Sequence, residues 1–333
     1  MNLTTDAVSE AFARSETLRQ PVGAGPGYWA GAPGAFYEES ERAWYLTYRI
    51  RRPRGVAPDR GGEARIARST DLRIWEDIWS VTKDKFGTAS IERCALRRGP
   101  DDQWRYFVSY VDPADGRWCV SVLRAAEVRR LDAARATPVF KAAPLGLEGV
   151  KDPWILEHQG SLYMFLSVAL PTSQTTAQSH STLDIFNTGE CVSATGLATS
   201  GDLDEWHWQG IVFKPEASGW DRYCRRIDSV LPEQGQFLAF YDGSASHAEN
   251  YEEKTGLAVS ADLRQWHTLA PDTPKFTSKD GSGCLRYVEA QVREGHAHLF
   301  FEVARPDGAH ELRLATLPVS LPEARKAGET APT

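Results

Sequence analysis

Sulfur is scarce in this chain: 2 Met and 5 Cys in 333 residues. The cysteines (Cys94, Cys119, Cys191, Cys224, Cys284) are odd in number, scattered, and never spaced C-x-x-C. Neither a zinc site nor a disulfide framework is therefore expected. Excess basic charge is missing too. Lys and Arg number 38 against 45 Asp and Glu, a net charge of −7, so electrostatic binding to nucleic acid is not expected. No run approaches the roughly 20 apolar residues of a membrane span. The first twenty residues carry Asp6, Glu10, Arg14 and Glu16 and no apolar stretch, so no secretory signal is expected and a reduced, cytoplasmic protein is. There is neither a phosphate-cradling glycine loop nor a nucleophile elbow. His247, His296, His298 and His310 show no metal-ligand spacing, and no metal is expected.

Aromatics, by contrast, are plentiful, with 11 Trp, 11 Tyr and 13 Phe. Flat rings pack well on pleated sheets and stack on the apolar faces of sugars. A repeat organises them. Ser69-Thr-Asp71-Leu72-Arg-Ile-Trp75, Ser200-Gly-Asp202-Leu203-Asp-Glu-Trp206 and Ser260-Ala-Asp262-Leu263-Arg-Gln-Trp266 share the pattern S-x-D-L-x-x-W. Each follows a short alternating strand. The Asp can hold backbone N–H groups of a turn, and the Trp can fold back over it. The last two copies start 60 residues apart and the first two 131 apart, which leaves room for a degenerate copy after Cys119–Leu123. A fifth strand of this type is Glu311–Leu317.

Upstream of each lies a hairpin: Ala32–Tyr37 with Ala43–Arg49, Ser90–Arg97 with Trp104–Val111, Asp152–Glu157 with Ser161–Val168, Ile227–Leu231 with Phe237–Tyr241, and Leu285–Arg293 with His296–Val303. Five units of two hairpins predict an all-β fold, a five-bladed β-propeller of four-stranded antiparallel blades around a central axis. It should span residues 21–320. Residues 1–20 form an N-terminal segment with a helix expected over Thr5–Leu18, and 321–333 a disordered tail. Part of Arg124–Arg135 is the other helical candidate. The S-x-D-L-x-x-W turns fall on the structural face. The opposite face receives the long loops Arg51–Gly62, Ala169–Glu190 and Gly243–Thr255, where sites tend to sit.

The innermost strands open with charge. Blade 1 offers Trp29 and Ala32-Pro33-Gly34, and blade 2 Glu92-Arg93. Blade 3 offers Lys151-Asp152-Pro153-Trp154, blade 4 Arg225-Arg226-Ile227-Asp228, and blade 5 Arg286-Tyr287-Val288-Glu289. Unpaired buried charge is expensive, so these groups either close a ring of mutual salt bridges or line a polar pocket. Two carboxylates in one pocket are the apparatus of glycosidic cleavage, one protonating the leaving oxygen and the other activating water or attacking carbon. Candidate carboxylates are Asp152, Asp228, Glu92 and Glu190. Trp29, Trp154 and Tyr287 offer stacking faces. Arg93, Lys151, Arg225, Arg226 and Arg286 offer cations for an anionic sugar or a phosphate, and His247 sits in the blade 4 loop. Glu249, Glu252 and Glu253 read as solvated loop charges.

The five units, the Lys151-Asp152-Pro153 opening of blade 3 and the S-x-D-L-x-x-W turns together resemble the five-bladed glycosidases. These comprise glycoside hydrolase families 43, 32, 62 and 68, with the family 130 mannoside phosphorylases. The resemblance spans about Trp29 to Leu317. It implies that Asp152 tunes the acid and orients substrate. It further implies an acid opening blade 4, where Asp228 stands in place of the usual Glu, and a base opening blade 1, where Gly31-Ala32-Pro33-Gly34 has none. No cofactor is expected; an axial calcium occurs in some relatives, but nothing in this sequence requires it. The expected activity is cleavage of a small or anionic glycoside. Phosphorolysis and non-catalytic sugar binding are the alternatives. No nucleic-acid or membrane partner is expected.

Overall fold

A computed structural model describes residues 3–233 and 235–319; the tail expected to be disordered lies outside them. The described chain is mostly β-strand with one α-helix, and that helix is too short to cross a membrane.

The helix α1 (Thr5–Ala13) is followed by β1 (Glu16–Arg19). Unit one then contains β2 (Trp29–Glu38), β3 (Ala43–Arg52), β4 (Arg60–Ser69) and β5 (Glu76–Thr82). Unit two contains β6 (Ile91–Arg98), β7 (Trp104–Val111), β8 (Trp118–Ala125) and β9 (Thr137–Phe140). Unit three contains β10 (Gly149–His158), β11 (Ser161–Pro171), β12 (Cys191–Ser200) and β13 (His207–Phe213). Unit four contains β14 (Cys224–Glu233), β15 (Gln236–Ser244), β16 (Lys254–Ser260) and β17 (His267–Thr268). Unit five contains β18 (Leu285–Arg293), β19 (His296–Ala304) and β20 (His310–Pro318). Within each unit neighbouring strands pair antiparallel. Single parallel bridges, Ser193 to Cys224 and Trp29 to His310, join unit three to four and five to one.

Two sequence expectations shift at the edges. The helix stops at Ala13 rather than Leu18 because Glu16–Arg19 pairs antiparallel with β20, giving unit five its fourth strand from the other end of the chain. The expected helix after β8 is instead a pair of 3-10 turns, Val128–Arg130 and Ala133–Arg135, which lead into β9.

The repeated turns have one geometry. Asp71 Oδ1 accepts the N–H groups of Arg73 and Ile74, each at 2.9 Å. Trp75 Nε1 donates to Leu72 O at 3.0 Å. Asp202 with Trp206, and Asp262 with Trp266, repeat both features. The intervening leucines take left-handed φ values of 64°, 70° and 64°, strained for a branched side chain. The Asp and Trp hydrogen bonds hold them there. Each Trp then packs edge-on against a Phe from the middle of the preceding unit: Trp75 on Phe300, Trp206 on Phe107 and Trp266 on Phe165. The motif therefore joins one unit to the next.

First strands meet around one centre. β2 packs on β6, β6 on β10, β10 on β14, β14 on β18, and β18 back on β2.

Candidate active site at the axis

Pairing breaks at the same place in all five first strands. The register slips between Gly31 and Gly34, Ile91 and Cys94, Lys151 and Trp154, Ile227 and Ser229, and Arg286 and Glu289. Such bulges bend a strand and re-aim its side chains. The residues they contain include Ala32, Glu92, Arg93, Asp152, Asp228 and Tyr287. Ala32, Asp152 and Tyr287 sit at φ 52°, 55° and 54°, a conformation uncommon outside glycine and tolerated where surrounding structure enforces it.

Asp152 is fixed from both sides. Its N–H donates to Ser109 Oγ at 2.7 Å, and its Oδ1 accepts the N–H of Arg93 at 3.2 Å. Its Oδ2 lies 3.3 Å from Lys151 Nζ and accepts no hydrogen bond. Glu92 pairs with Arg49, Nε to Oε2 at 3.3 Å. Asp228 is buried near Asp242 of β15, whose Oδ1 accepts the N–H of Tyr287 at 3.1 Å. Burial raises both carboxyl pKa values, and the negative charge of Asp242 adds to the effect on Asp228. Asp242 is pushed up to about 7. Burial, with the charges of Asp152 and Glu92, also pushes the Tyr287 phenol far up, keeping it protonated.

Several buried polar atoms here lack a hydrogen-bond partner: Glu92 Oε2, Asp152 Oδ2, Asp228 Oδ2, Asp242 Oδ2, Arg226 Nε and Trp29 Nε1. Folded proteins seldom leave such atoms unsatisfied. Of these, Glu92 Oε2 and Asp152 Oδ2 lie within ion-pair range of Arg49 Nε and Lys151 Nζ, and atoms of the same kind occur in other parts of the fold, as at Tyr106 and Arg117.

The cations expected to await an anionic ligand are mostly committed already. Arg93 binds Glu289 at 2.8 Å and the carbonyls of Pro33 and Asp228. Arg226 pairs with Glu253, and Arg286 bridges Glu253 at 2.6 Å and Glu302 at 2.7 Å. Mutual salt bridging thus accounts for these three. Glu302 is the hub of the ring. It also accepts from Arg49 Nη2 at 3.1 Å, from the N–H of Ala32 at 3.0 Å, and faces His310 Nδ1 at 2.8 Å. Its position bears on the opening of unit one. A Cβ on Gly31 would meet Glu302 Oε2 at 1.9 Å, so the space beside that bulge already holds a carboxylate from unit five.

Other predicted residues lie elsewhere. Alternation along β14 turns Arg225 away from Arg226, onto Asp221 at 2.8 Å, Glu216 at 2.9 Å and the ring of Phe213. Trp154 is buried in the core with its Nε1 on Glu289 Oε1 at 3.0 Å, so it offers no stacking face. Lys151 lies over the rings of Trp118 and Phe186. Glu190 is half-buried in its loop, its carboxylate taken by Ser179. His247 is exposed. Glu253, expected in solvent, is fully buried because Arg226 and Arg286 both demand a partner.

Sequence reading missed Arg49, Asp242, Glu302 and Arg51. They stand on second strands, one row out from the axis. The available signal was a charge inside an otherwise apolar strand, as in Leu299-Phe300-Phe301-Glu302-Val303. Arg51 is distinct. Its guanidinium carbon lies 4.4 Å from the Trp29 ring centre and 4.6 Å from that of Tyr251. Among the described residues it has neither a hydrogen-bond nor a carboxylate partner, and burial lowers its pKa.

Loops from units one, three and four close over this cluster. Arg60 Nη2 donates to Leu183 O at 2.8 Å, Tyr251 hydroxyl to Asp184, and Asn250 to Asn187. Trp29, Arg51, Glu92, Asp152 and Asp228 are at most 5 % exposed. A separate cavity of about 720 Å³ lies off the axis beside α1, lined by Phe12, Lys275, Asp280 and Arg305. It shares none of the axial groups.

No family model matches the chain, and no curated protein matches it. Solved structures do. A glycoside hydrolase superposes with a TM-score of 0.63 at 14 % identity, covering 99 % of both chains. A thermostable family-43 glycoside hydrolase gives 0.62 at 14 % identity, over 95 % of this chain and 97 % of that one. A β-1,2-mannobiose phosphorylase from Listeria innocua, in complex with β-1,2-mannobiose, gives 0.57 at 12 % identity, over 90 % and 93 %. At such identities the likeness is one of fold. It is the fold of the group that the sequence motifs resemble.

Proposed function

We propose that the five units are the blades of a five-bladed β-propeller, and that its axis cleaves the glycosidic bond of a small, anionic glycoside. The observation that carries this reading is the buried Asp228–Asp242 pair, set in the same bulge row as Asp152 and Glu92. Burial raises both carboxyls, Asp242 to about 7, and the charge of Asp242 raises Asp228 further, so the pair holds a proton at neutral pH. That proton is available to the leaving oxygen. Asp152, held by Arg93 and Ser109, orients the sugar through its Oδ2, which faces Lys151 Nζ. Glu92 is the carboxylate placed to draw a proton from water. Glu302 does not fit that role, because Arg49, Arg286, His310 and Ala32 occupy its oxygens. The fold shared with glycoside hydrolases supports the reading.

Substrate reaches the axis when the loops part at the Arg60–Leu183 and Tyr251–Asp184 contacts. Arg51, the buried guanidinium left without a carboxylate, is the group for the anionic part of the ligand. Ala32 at the position where a base is expected, together with the fold shared with a phosphorylase, favours phosphate as a second possible attacking group.

Neutral and uronic aryl-glycosides, assayed with and without phosphate, test the proposal. Turnover that Asp228→Asn abolishes is expected. Stimulation by phosphate selects phosphorolysis over hydrolysis. Sugar binding with no turnover under either condition would reduce the protein to a binding propeller.

A further inference from the structure

Three residues far apart in sequence meet where units four, five and one adjoin. Glu252 lies in the loop between β15 and β16, Cys284 one residue before β18, and His310 at the first position of β20. One ligating atom from each lies within 4.8 Å of the others. Cys284 and His310 are fully buried, whereas the Glu252 side chain is 30 % exposed.

The histidine is the informative member. Its ring stacks on Trp29 at 4.6 Å and an interplanar angle of 14°. Its Nδ1 lies 2.8 Å from Glu302 Oε1, and Glu302 is itself anchored by Arg286 and Arg49. Its Nε2 points to Glu252 Oε2 at 3.1 Å. A carboxylate behind a histidine fixes the tautomer and aims the other nitrogen outward, the arrangement that supports metal-ligating imidazoles. Here the aimed nitrogen meets a carboxylate and a thiol, both of which become ligands on losing a proton.

We propose that Glu252, Cys284 and His310 form a binding site for a thiophilic divalent cation of the zinc type. The donor set is one nitrogen, one sulfur and one oxygen, which suits zinc or cobalt and disfavours calcium and magnesium. Zinc bonds of about 2.0–2.3 Å require the three atoms to draw together from their present spread, with Glu252 giving up its hydrogen bond from the Ser282 hydroxyl. A fourth position remains on the exposed Glu252 side, for water or a ligand. On binding, the Nε2 lone pair of the Nδ1–H tautomer takes the cation directly, and the thiol proton of Cys284 leaves to solvent as its sulfur does so. Spacing in the sequence gave no hint of the site, because its members come from three separate segments.

The test uses the full-length chain without an affinity tag, treated with chelator and then titrated with Co²⁺. One equivalent should bind, with the near-ultraviolet charge-transfer band of a cobalt thiolate and the intense visible bands of a four-coordinate ion. Zn²⁺ should displace it. Cys284→Ser should lose the charge-transfer band, and Glu252→Gln should weaken binding at least tenfold. His310→Gln should abolish binding; if that variant does not fold, the Cys284 and Glu252 arms still decide. Cobalt bound without a thiolate band, or retained equally by Cys284→Ser, overturns the proposal.

Discussion

Asp228 and Asp242 are neighbouring carboxyls in a wholly buried position, and the charge of Asp242 adds to what burial does to Asp228. The unfolded chain releases both protons near pH 4, while in the folded state Asp242 keeps its proton until about pH 7 and Asp228, raised well above its ordinary range, keeps its own beyond that. Between those values the folded state binds more protons, so this pair makes stability fall as pH rises. Glu253 and Glu302 act oppositely. Their arginine partners hold them below the usual range, Glu253 at about 2, so their contribution is present above pH 4.5 and lost in acid. Melting temperature should therefore decline from pH 5 to pH 8, and Asp242→Asn should flatten that decline. Parallel wild-type and variant curves would remove the proton held by Asp242.

Asp152→Asn should fold normally. The amide oxygen still accepts the N–H of Arg93, and the backbone bond to Ser109 is untouched. Turnover should drop by about 100-fold, the scale of one acid–base or orienting group. Circular dichroism with steady-state kinetics checks both halves. Undiminished kcat would release Asp152 from the site.

Glu302→Gln should be costly for stability instead. It removes a charge shared by two buried arginines and the His310 ring. Breaking one partner of a buried ion pair costs about 3–5 kcal/mol. Urea unfolding should show it as a lowered midpoint with unchanged slope. A variant as stable as the wild type would mean that Arg49 and Arg286 find other partners.

The contrast between Asp152 and Glu302 shows which features the sequence exposes. Asp152 was legible because it opens a strand in a repeated context. The S-x-D-L-x-x-W turns gave the period, and the period gave the axis. Glu302 stands out in sequence only as a charge inside an apolar strand, and its role was not legible because its partners Arg49, Arg286 and His310 come from other strands. The same holds for Asp242. Arg225 misled for the converse reason. It neighbours Arg226 in sequence, yet strand alternation places the two on opposite faces. The helix over Thr5–Leu18 was shortened by a long-range pairing with β20 that local propensity does not report.

Arg51 makes the sharpest prediction about substrate. A guanidinium held between Trp29 and Tyr251, with no carboxylate partner among the described residues, keeps its charge at a cost that an anionic ligand would offset. Arg51→Met retains the stem between the rings and removes the charge. A charged hydrogen bond is worth about 1.5–3 kcal/mol, so kcat/KM for a uronic glycoside should fall about 10- to 100-fold. The matching neutral glycoside should be turned over at an unchanged rate, since it never used the charge. Both substrates are measured on both proteins. A fall of the same size for each would assign Arg51 to packing beneath the Tyr251 loop and leave the anionic substrate without support.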